Sequence, residues 1–467
     1  MPAGVTANKT STEVIRSFPG IDLGILGLLE YELRLNRHII KLEDLQPGTT
    51  YYYRVGDKAT GWWSDVGVIT TADGSNDTTI LSMTDSQSQN AKQYGNWAKT
   101  LDTAYALYPD ADVIVHAGDM VDAGDNLNHW KDFFNEGSEV LMSMPLMPAA
   151  GNHEAKGSAA LDVNFVLPQS VEQDTETGYY YSYDYNNVHF MMLNTNDISD
   201  SDGLGAEQLA WLKADCAASY AQWKVVVIHK AVYSNGSHFD DKEIITLREQ
   251  FATLMPELGI DVVLQGHDHV YLRTAAMNGN EVIDVNTKTL TYNGLDYNTS
   301  IEPDGTFYAI QATSGVKFYK SKSYSQTDEL FPRAQSIVDV DKPVFTAIRA
   351  QANTLYYDAY TVEDDGSAAR IDSFAIEKAT VEPPVDPPVD PPKDPSDDIL
   401  MGDVDFNGEV QTDDARLILR YATGLIEFTP EQLKAADFDG VNGVTTDDAR
   451  TALRISVGIE RRWPYVK

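Results

Sequence analysis

Cysteine is almost missing from this chain: Cys216 is the only one in 467 residues. No intrachain disulfide can form, and the redox compartment cannot be read from a cysteine framework. Basic residues are also scarce, with 35 Lys plus Arg against 71 Asp plus Glu, a formal charge of −36 at pH 7. That balance argues against a nucleic-acid backbone or an anionic membrane as the main partner, and it suits solubility and cation binding. Long apolar runs are absent as well. The stretch 21–29 is too short to span a bilayer and leads into Glu30-Tyr31-Glu32, so no membrane span is expected. Residues 1–10 lack the basic start, apolar segment and small-residue cleavage site of a secretory leader.

What is present is a folded composition, 42% hydrophobic and 10% aromatic, in a chain long enough for two or three domains. Residues 36–71 alternate and turn like antiparallel strands, at 37–42, 49–55 and 66–71 around Gln46-Pro47-Gly48, which is the pattern of a β-sandwich. From residue 77 to 378 strands alternate with helical stretches at 97–107, 129–141, 206–219 and 242–254, an α/β pattern. Late β-rich stretches at 306–313, 344–348, 354–362 and 369–376 are expected to complete a second sheet. Residues 379–398 hold the repeated Pro-Pro-Val-Asp unit, which favours extended polyproline II and reads as a spacer. Residues 399–460 contain an internal repeat at an offset of 34 residues.

Chemistry is concentrated at strand ends. Apolar runs at 80–83, 113–115, 146–150, 225–228 and 262–264 lead to Asp85, Asp119, Gly151-Asn152-His153-Glu154, His229 and His267-Asp268-His269. Ligands gathered at the C-terminal ends of neighbouring strands are how an α/β sheet builds a site. A dinuclear site needs a carboxylate that bridges two metals, plus nitrogen and oxygen donors for each. These five blocks supply that set.

In this order the blocks Asp85-Ser86-Gln87, Gly118-Asp119, Gly151-Asn152-His153-Glu154, Ile228-His229 and Gly266-His267-Asp268-His269 resemble the calcineurin-like metallophosphoesterases. Gly266 to Thr274, together with Leu45 to Gly56, points to the purple acid phosphatase branch, whose amino-terminal domain is fibronectin-III-like. About 73 residues precede the core, against about 100 in a full sandwich, so truncation of residues 1–73 is an expectation. The resemblance implies that Asp119 bridges two ions. Asp85 and His269 would hold the first, and Asn152, His229 and His267 the second, with Gln87 beside the first. Iron, manganese or zinc would fit. His153 would face the substrate, stabilising phosphoryl charge or protonating the leaving group, and His238 is a second candidate for that role. The implied reaction is hydrolysis of phosphate monoesters through attack by a metal-bound hydroxide.

Two positions depart from the family. The tyrosine whose bond to iron(III) colours purple acid phosphatases is Asp122 here, and the histidine that most other metallophosphoesterases carry after the first aspartate is Gln87, a neutral oxygen donor. The first site is therefore expected to be divalent and colourless. Rival readings are a phosphodiesterase or nucleotidase on the same site, and a non-catalytic binding module with a degenerate first metal site. His116 and His189 read as structural residues, His38 and His129 as surface residues, and Cys216 as a buried small apolar side chain.

In the carboxy-terminal repeat, Asp403, Asp405 and Asn407 occupy loop positions 1, 3 and 5, with Gly408 at 6, Glu409 at 7 and Asp414 at 12, the spacing by which a short loop wraps calcium. Asp437, Asp439 and Asp448 recur in the second loop, where Val441 replaces an oxygen donor. Two such loops, each entering a helix through Thr-Asp-Asp-Ala-Arg, resemble a type I dockerin. That resemblance implies calcium, a cohesin module of a scaffoldin as partner, and a secreted chain in a cellulosome-type complex whose leader was removed or omitted. The expected fold class is multidomain: an amino-terminal β-sandwich, an α/β core of two packed sheets flanked by helices, and a small EF-hand-like α domain.

Overall fold

All five strands expected to end in ligands form, and they divide between two sheets. The computed structural model describes residues 9–17, 31–42, 44–155, 161, 164–168, 178–322, 333–379, 400–438 and 443–456. The chain separates into two compact units, Met1–Val381 and Glu382–Lys467.

In the first unit, an eight-stranded sheet of the described residues runs in the order Asn286–Tyr292, Leu295–Ile301, Ala368–Glu377, Thr354–Val362, Val344–Ala350, Thr78–Met83, Val113–His116, Leu146–Pro148. The last three strands are parallel. A seven-stranded sheet holds Val188–Met192, Trp223–Lys230, Val262–Gly266 and Phe307–Gln311 in parallel, with antiparallel strands at its margins. Of the four late strands expected in one sheet, Val344–Ala350, Thr354–Val362 and Ala368–Glu377 do share the eight-stranded sheet, but Phe307–Gln311 belongs to the other. Phe307–Gln311 pairs with Val262–Gly266, whereas Val344–Ala350 pairs with Thr78–Met83. Strand pairing is set by long-range registry that local alternation does not encode.

Alternation explains how both faces of each sheet are buried. Val225 and Val227 point into one apolar layer with Ile80, Val113 and Val115, so this layer lies between the two sheets. Val226 and Ile228 point the other way, towards Trp211 and Leu212 of the helix Ala206–Ala218 and Leu247 and Phe251 of the helix Lys242–Glu257. Leu81, Met83 and Ile114 meet Trp97 and Leu101 of Ala91–Leu107 and Trp130 and Phe133 of Leu127–Glu136. Each such side chain removed from water is worth about 1.5–3 kcal/mol. Helix starts follow from capping: the Asn90 side chain accepts from Gln93 N, and that of Asn126 from Asn128 N, each satisfying an orphan amide.

Ahead of this core, Lys9–Ser17 pairs with Tyr31–Ile39, Thr50–Tyr53 with Gly67–Thr70, and Gly56–Asp57 with Trp62–Trp63, all antiparallel. The expected strand at 37–42 thus ends earlier, and among the described residues the sheets here are two-stranded, so no sandwich closes among them. Tyr53 Oη donates to Met142 O at 2.9 Å, tying this region to the core. In the second unit, Thr412–Ala422 and Thr446–Ser456 enclose a small apolar core with Val404, Ile418, Ala436 and Ala452.

Candidate metal centre

The strand ends deliver their ligands through strained turns. Asp85, Asp119, His267 and His269 have φ of +53°, +54°, +75° and +53°. Left-handed backbone costs a non-glycine residue about 1–2 kcal/mol, and its concentration where the candidate ligands meet is the pattern of a functional site. Close approach of the turns also demands glycine. A Cβ on Gly151 would lie 2.1 Å from Asp119 N and 2.2 Å from Asp119 Oδ1, so no larger residue fits between the second and third blocks.

The ligand atoms then face one another. His229 Nε2 lies 3.2 Å from Asp119 Oδ2, 3.1 Å from Asn152 Oδ1 and 3.2 Å from His267 Nδ1. His269 Nε2 lies 3.2 Å from Asp85 Oδ1. Gln87 Nε2 approaches Asp119 Oδ2 at 3.4 Å. Atoms of Asp119, His229 and His267 all fall within 4.8 Å of one another. The groups implied for the two ions are thus gathered as two adjoining clusters, Asp119 lying with His229 and His267 and approached by Gln87 from the side of Asp85 and His269.

The donor set fits cations. His229 Nδ1 is 2.8 Å from Ala117 O and His269 Nδ1 is 2.5 Å from Lys317 O. A carbonyl can only accept, so each Nδ1 carries a proton, and each ring, when neutral, turns its Nε2 lone pair towards a carboxylate. Lone pair against lone pair repels unless a cation or a proton lies between. Among the described residues, Asp85 Oδ1 and Gln87 Oε1 are buried oxygens that accept no hydrogen bond, which also suits a positive ion.

Electrostatics follow the same logic. Burial opposes a charge on His229, but the carboxylates of Asp119 and Asp85 outweigh it and raise its pKa to about 9. Burial and the neighbouring His229 and His238 push His267 down to about 3. Burial would raise Asp119, yet His229 and His153 hold its carboxyl well below the usual range. Asp85 is likewise lowered, burial being outweighed by His269. A cluster of this kind binds a proton where it lacks a metal.

His153 Nδ1 lies 2.6 Å from Asp122 O, and its Nε2 is 3.7 Å from Asp119 Oδ2, so the ring is oriented towards the Asp119 carboxylate. The ring of His238 stands 4.4 Å from that of His267, and its Nδ1 is 2.7 Å from Asp241 Oδ2. Both candidate proton-handling residues therefore border the clusters. Asp122, at the position of the family's tyrosine, pairs with Lys317 and accepts from Gln89 Nε2 at 3.3 Å. Burial works against ionisation there, but Lys317 holds the Asp122 carboxyl below its ordinary range.

Several contributors were not assigned from sequence. Buried Glu154 accepts from Asp119 N at 2.8 Å, Gly151 N at 2.9 Å and Val121 N at 3.1 Å. Burial and the Asp119 charge raise its pKa to about 8. Asp268 Oδ1 accepts from His238 N at 3.2 Å and so positions that histidine's loop. Lys317 and Tyr319 come from the turn after Phe307–Gln311, a region with no motif; only the missing tyrosine at Asp122 hinted at a compensating cation. Of the remaining histidines, His116 is buried beside Ser86 Oγ at 3.0 Å, and His189 lies between Asp184 and Asp215. His129 is a correction: it is 8% exposed, turned inward on Leu127–Glu136, and not a surface residue. Asn128, Lys131 and Asp132 around it are polar, and only the docking of the helix buries it. Cys216 is free and buried.

In the second unit, atoms of Asp403, Asp405 and Asp414 lie within 4.8 Å of one another. Asp403 Oδ2 accepts from Gly408 N at 2.8 Å, Asn407 Oδ1 from Glu409 N at 3.0 Å, and Asp414 Oδ1 from Val404 N at 2.9 Å. In the second loop Asp448 Oδ1 accepts from Phe438 N at 2.9 Å, with Asp437 just before it. Asp439 lies outside the described residues.

Candidate ligands at the strand tips of two packed sheets thus meet at one place, as a metal-dependent phosphoesterase would need. Comparison with known proteins agrees: residues 63–271 match the calcineurin-like phosphoesterase family and residues 5–71 the purple acid phosphatase N-terminal domain. The chain is similar to purple acid phosphatase 23 of Arabidopsis thaliana, 26% identical over 286 residues, covering 53% of this chain and 59% of that protein. It is also similar to probable inactive purple acid phosphatase 9 of the same plant, 26% identical over 285 residues, covering 51% and 43%. In fold it resembles a purple acid phosphatase from yellow lupin seeds, with a TM-score of 0.57 and 19% identity over 72% of this chain and 61% of that one. The curated relatives named here are each spanned over less than two thirds of their length. No helix among the described residues is long and apolar enough to cross a membrane.

Proposed function

We propose that this protein hydrolyses phosphate monoesters at a dinuclear centre, with residues 77–378 as its catalytic domain behind an amino-terminal domain at 1–73. The observation that carries this reading is the convergence of lone pairs: His229 Nε2 and His269 Nε2 each face a carboxylate oxygen at 3.2 Å. Asp85 and His269, with Gln87 alongside, would hold one ion. Asn152, His229 and His267 would hold the other, and Asp119 would bridge. Bound divalent iron, manganese or zinc supplies Lewis acidity and an acidified water. The chain's own part is positioning and proton handling. His153, fixed through Nδ1 by Asp122 O, would present Nε2 to a phosphoryl or leaving-group oxygen, and His238, braced by Asp241, would do the same from the side of His267.

The carboxy-terminal unit is read as a dockerin at 399–460, joined by the linker 379–398, which binds calcium and docks on a cohesin module of a scaffoldin outside the cell. Its support is the Asp403, Asp405 and Asp414 cluster and the repeated loop-to-helix pattern.

Elemental analysis of the purified protein, paired with assays on one phosphate monoester and one diester, tests the enzyme reading. About two metal ions per chain with faster turnover of the monoester is the expected result. Diester preference would move the reading to a phosphodiesterase, and metal-free, inactive protein would make the core a binding module; one similar relative is itself named a probable inactive purple acid phosphatase.

A further inference from the structure

The turn beyond Phe307–Gln311 carries a feature that the proposed chemistry leaves unused. The phenol of Tyr319 stacks on the imidazole of His269, with centroids 4.3 Å apart and planes 20° from parallel. His269 is 1% exposed, whereas Tyr319 is 46% exposed. One face of the ring is thus taken by a candidate ligand while much of the rest meets solvent beside it. A lone exposed tyrosine needs no explanation, but one laid flat on a metal-ligating side chain is placed to meet whatever the metal holds. Its loop is pinned on either side. Lys317 O takes the His269 Nδ1 hydrogen, the Lys317 ammonium pairs with Asp122, and Lys322 N donates to Asn235 O at 2.7 Å while Lys322 Nζ reaches Asp240 Oδ2 at 3.1 Å. A ring already fixed loses little freedom when a second ring stacks on it.

We propose that Tyr319 is a stacking platform for the organic group of the phosphoester, so that the centre prefers esters with a planar aromatic ring near phosphorus over alkyl phosphates. The proposal rests on the phosphoesterase reading. Offset ring stacking adds about two- to tenfold in affinity beyond area burial, an advantage an alkyl ester does not receive.

The test is a selectivity ratio, because Tyr319 also packs on His269 and its loss can change absolute rates. The metal-loaded full chain, with Tyr319→Ala and Tyr319→Phe, is assayed on phenyl phosphate, adenosine 5′-monophosphate and glycerol 2-phosphate. In Tyr319→Ala the ratio of kcat/KM for phenyl phosphate to that for glycerol phosphate falls about fivefold or more, chiefly through KM, while Tyr319→Phe keeps it within about twofold. An unchanged ratio in Tyr319→Ala overturns the proposal. Adenosine monophosphate following phenyl phosphate places nucleoside phosphates in the class; following glycerol phosphate, it limits the class to aryl esters. If no ester turns over, the phosphoesterase reading fails, and calorimetry with phenylphosphonate and methylphosphonate then judges the platform. Tighter phenylphosphonate binding in the wild type but not in Tyr319→Ala supports it, and equal affinities overturn it.

Discussion

Asp119 Oδ2 lies 3.2 Å from His229 Nε2 although the strands that deliver them, Val113–His116 and Trp223–Lys230, belong to different sheets. The centre therefore forms only when the two sheets pack, so its integrity reports on the whole core.

Replacing Asp119 by Asn removes the charge that the proposed bridge between the two ions needs while preserving shape. Turnover of an aryl phosphate should fall by more than about 100-fold, beyond the usual effect of outer partners of a metal site, and bound metal should decrease. Circular dichroism should be unchanged. Near-wild-type activity would show that Asp119 is not shared.

Asp122 in place of a tyrosinate predicts a colourless protein. Metal-free chain should regain activity with divalent ions, and its visible spectrum should stay flat. An intense purple band would place a different oxygen or phenolate on the metal.

Glu154 gathers three backbone amides of the second and third blocks. Glu154→Ala strands them in a buried site, where each unmet donor costs about 1–3 kcal/mol. The variant should melt well below the wild type, with Glu154→Gln intermediate. Equal melting temperatures would mean that the amides find other acceptors.

His189 Nδ1 is 2.7 Å from Asp184 Oδ1 and its Nε2 is 2.9 Å from Asp215 Oδ2. Burial opposes its charge, but the two carboxylates prevail and raise the pKa to about 9. The unfolded value is about 6.5. The folded state thus binds the proton more tightly, so this stabilisation is complete below the unfolded value and is lost as pH rises through the folded one. His189→Gln should lower the melting temperature at pH 6 by at least about 2–4 °C, the shift per kcal/mol for a domain of this size, and the gap to wild type should close above the folded pKa. A pH-independent gap would mean that packing, not charge, is what His189 supplies.

Of the two carboxy-terminal loops proposed to bind calcium, the first has the better ligand set, and its Asp403 accepts from both Asn407 N at 3.1 Å and Gly408 N at 2.8 Å. Titration of the whole chain with calcium should show tighter and looser binding, with Asp403→Ala abolishing the tighter step and Asp437→Ala the looser. No heat of binding, or the reverse order, would remove the calcium reading or its ranking.

Residue order alone determined a good deal. Polar residues at the ends of apolar runs marked Asp85, Asp119, Asn152, His229, His267 and His269, which the fold brings together, and alternation located many of the strands, because these depend on residue type and near neighbours. The helix expected at 242–254 forms as Lys242–Glu257, and the strand at 354–362 as Thr354–Val362. The tertiary structure alone decided which strands share a sheet, the burial of His129, the three amides held by Glu154, and the approach of Lys317 and Tyr319 to Asp122 and His269. Those contacts join residues far apart in the chain, and their geometry follows from how two twisted sheets pack, for which no local pattern carries a signal.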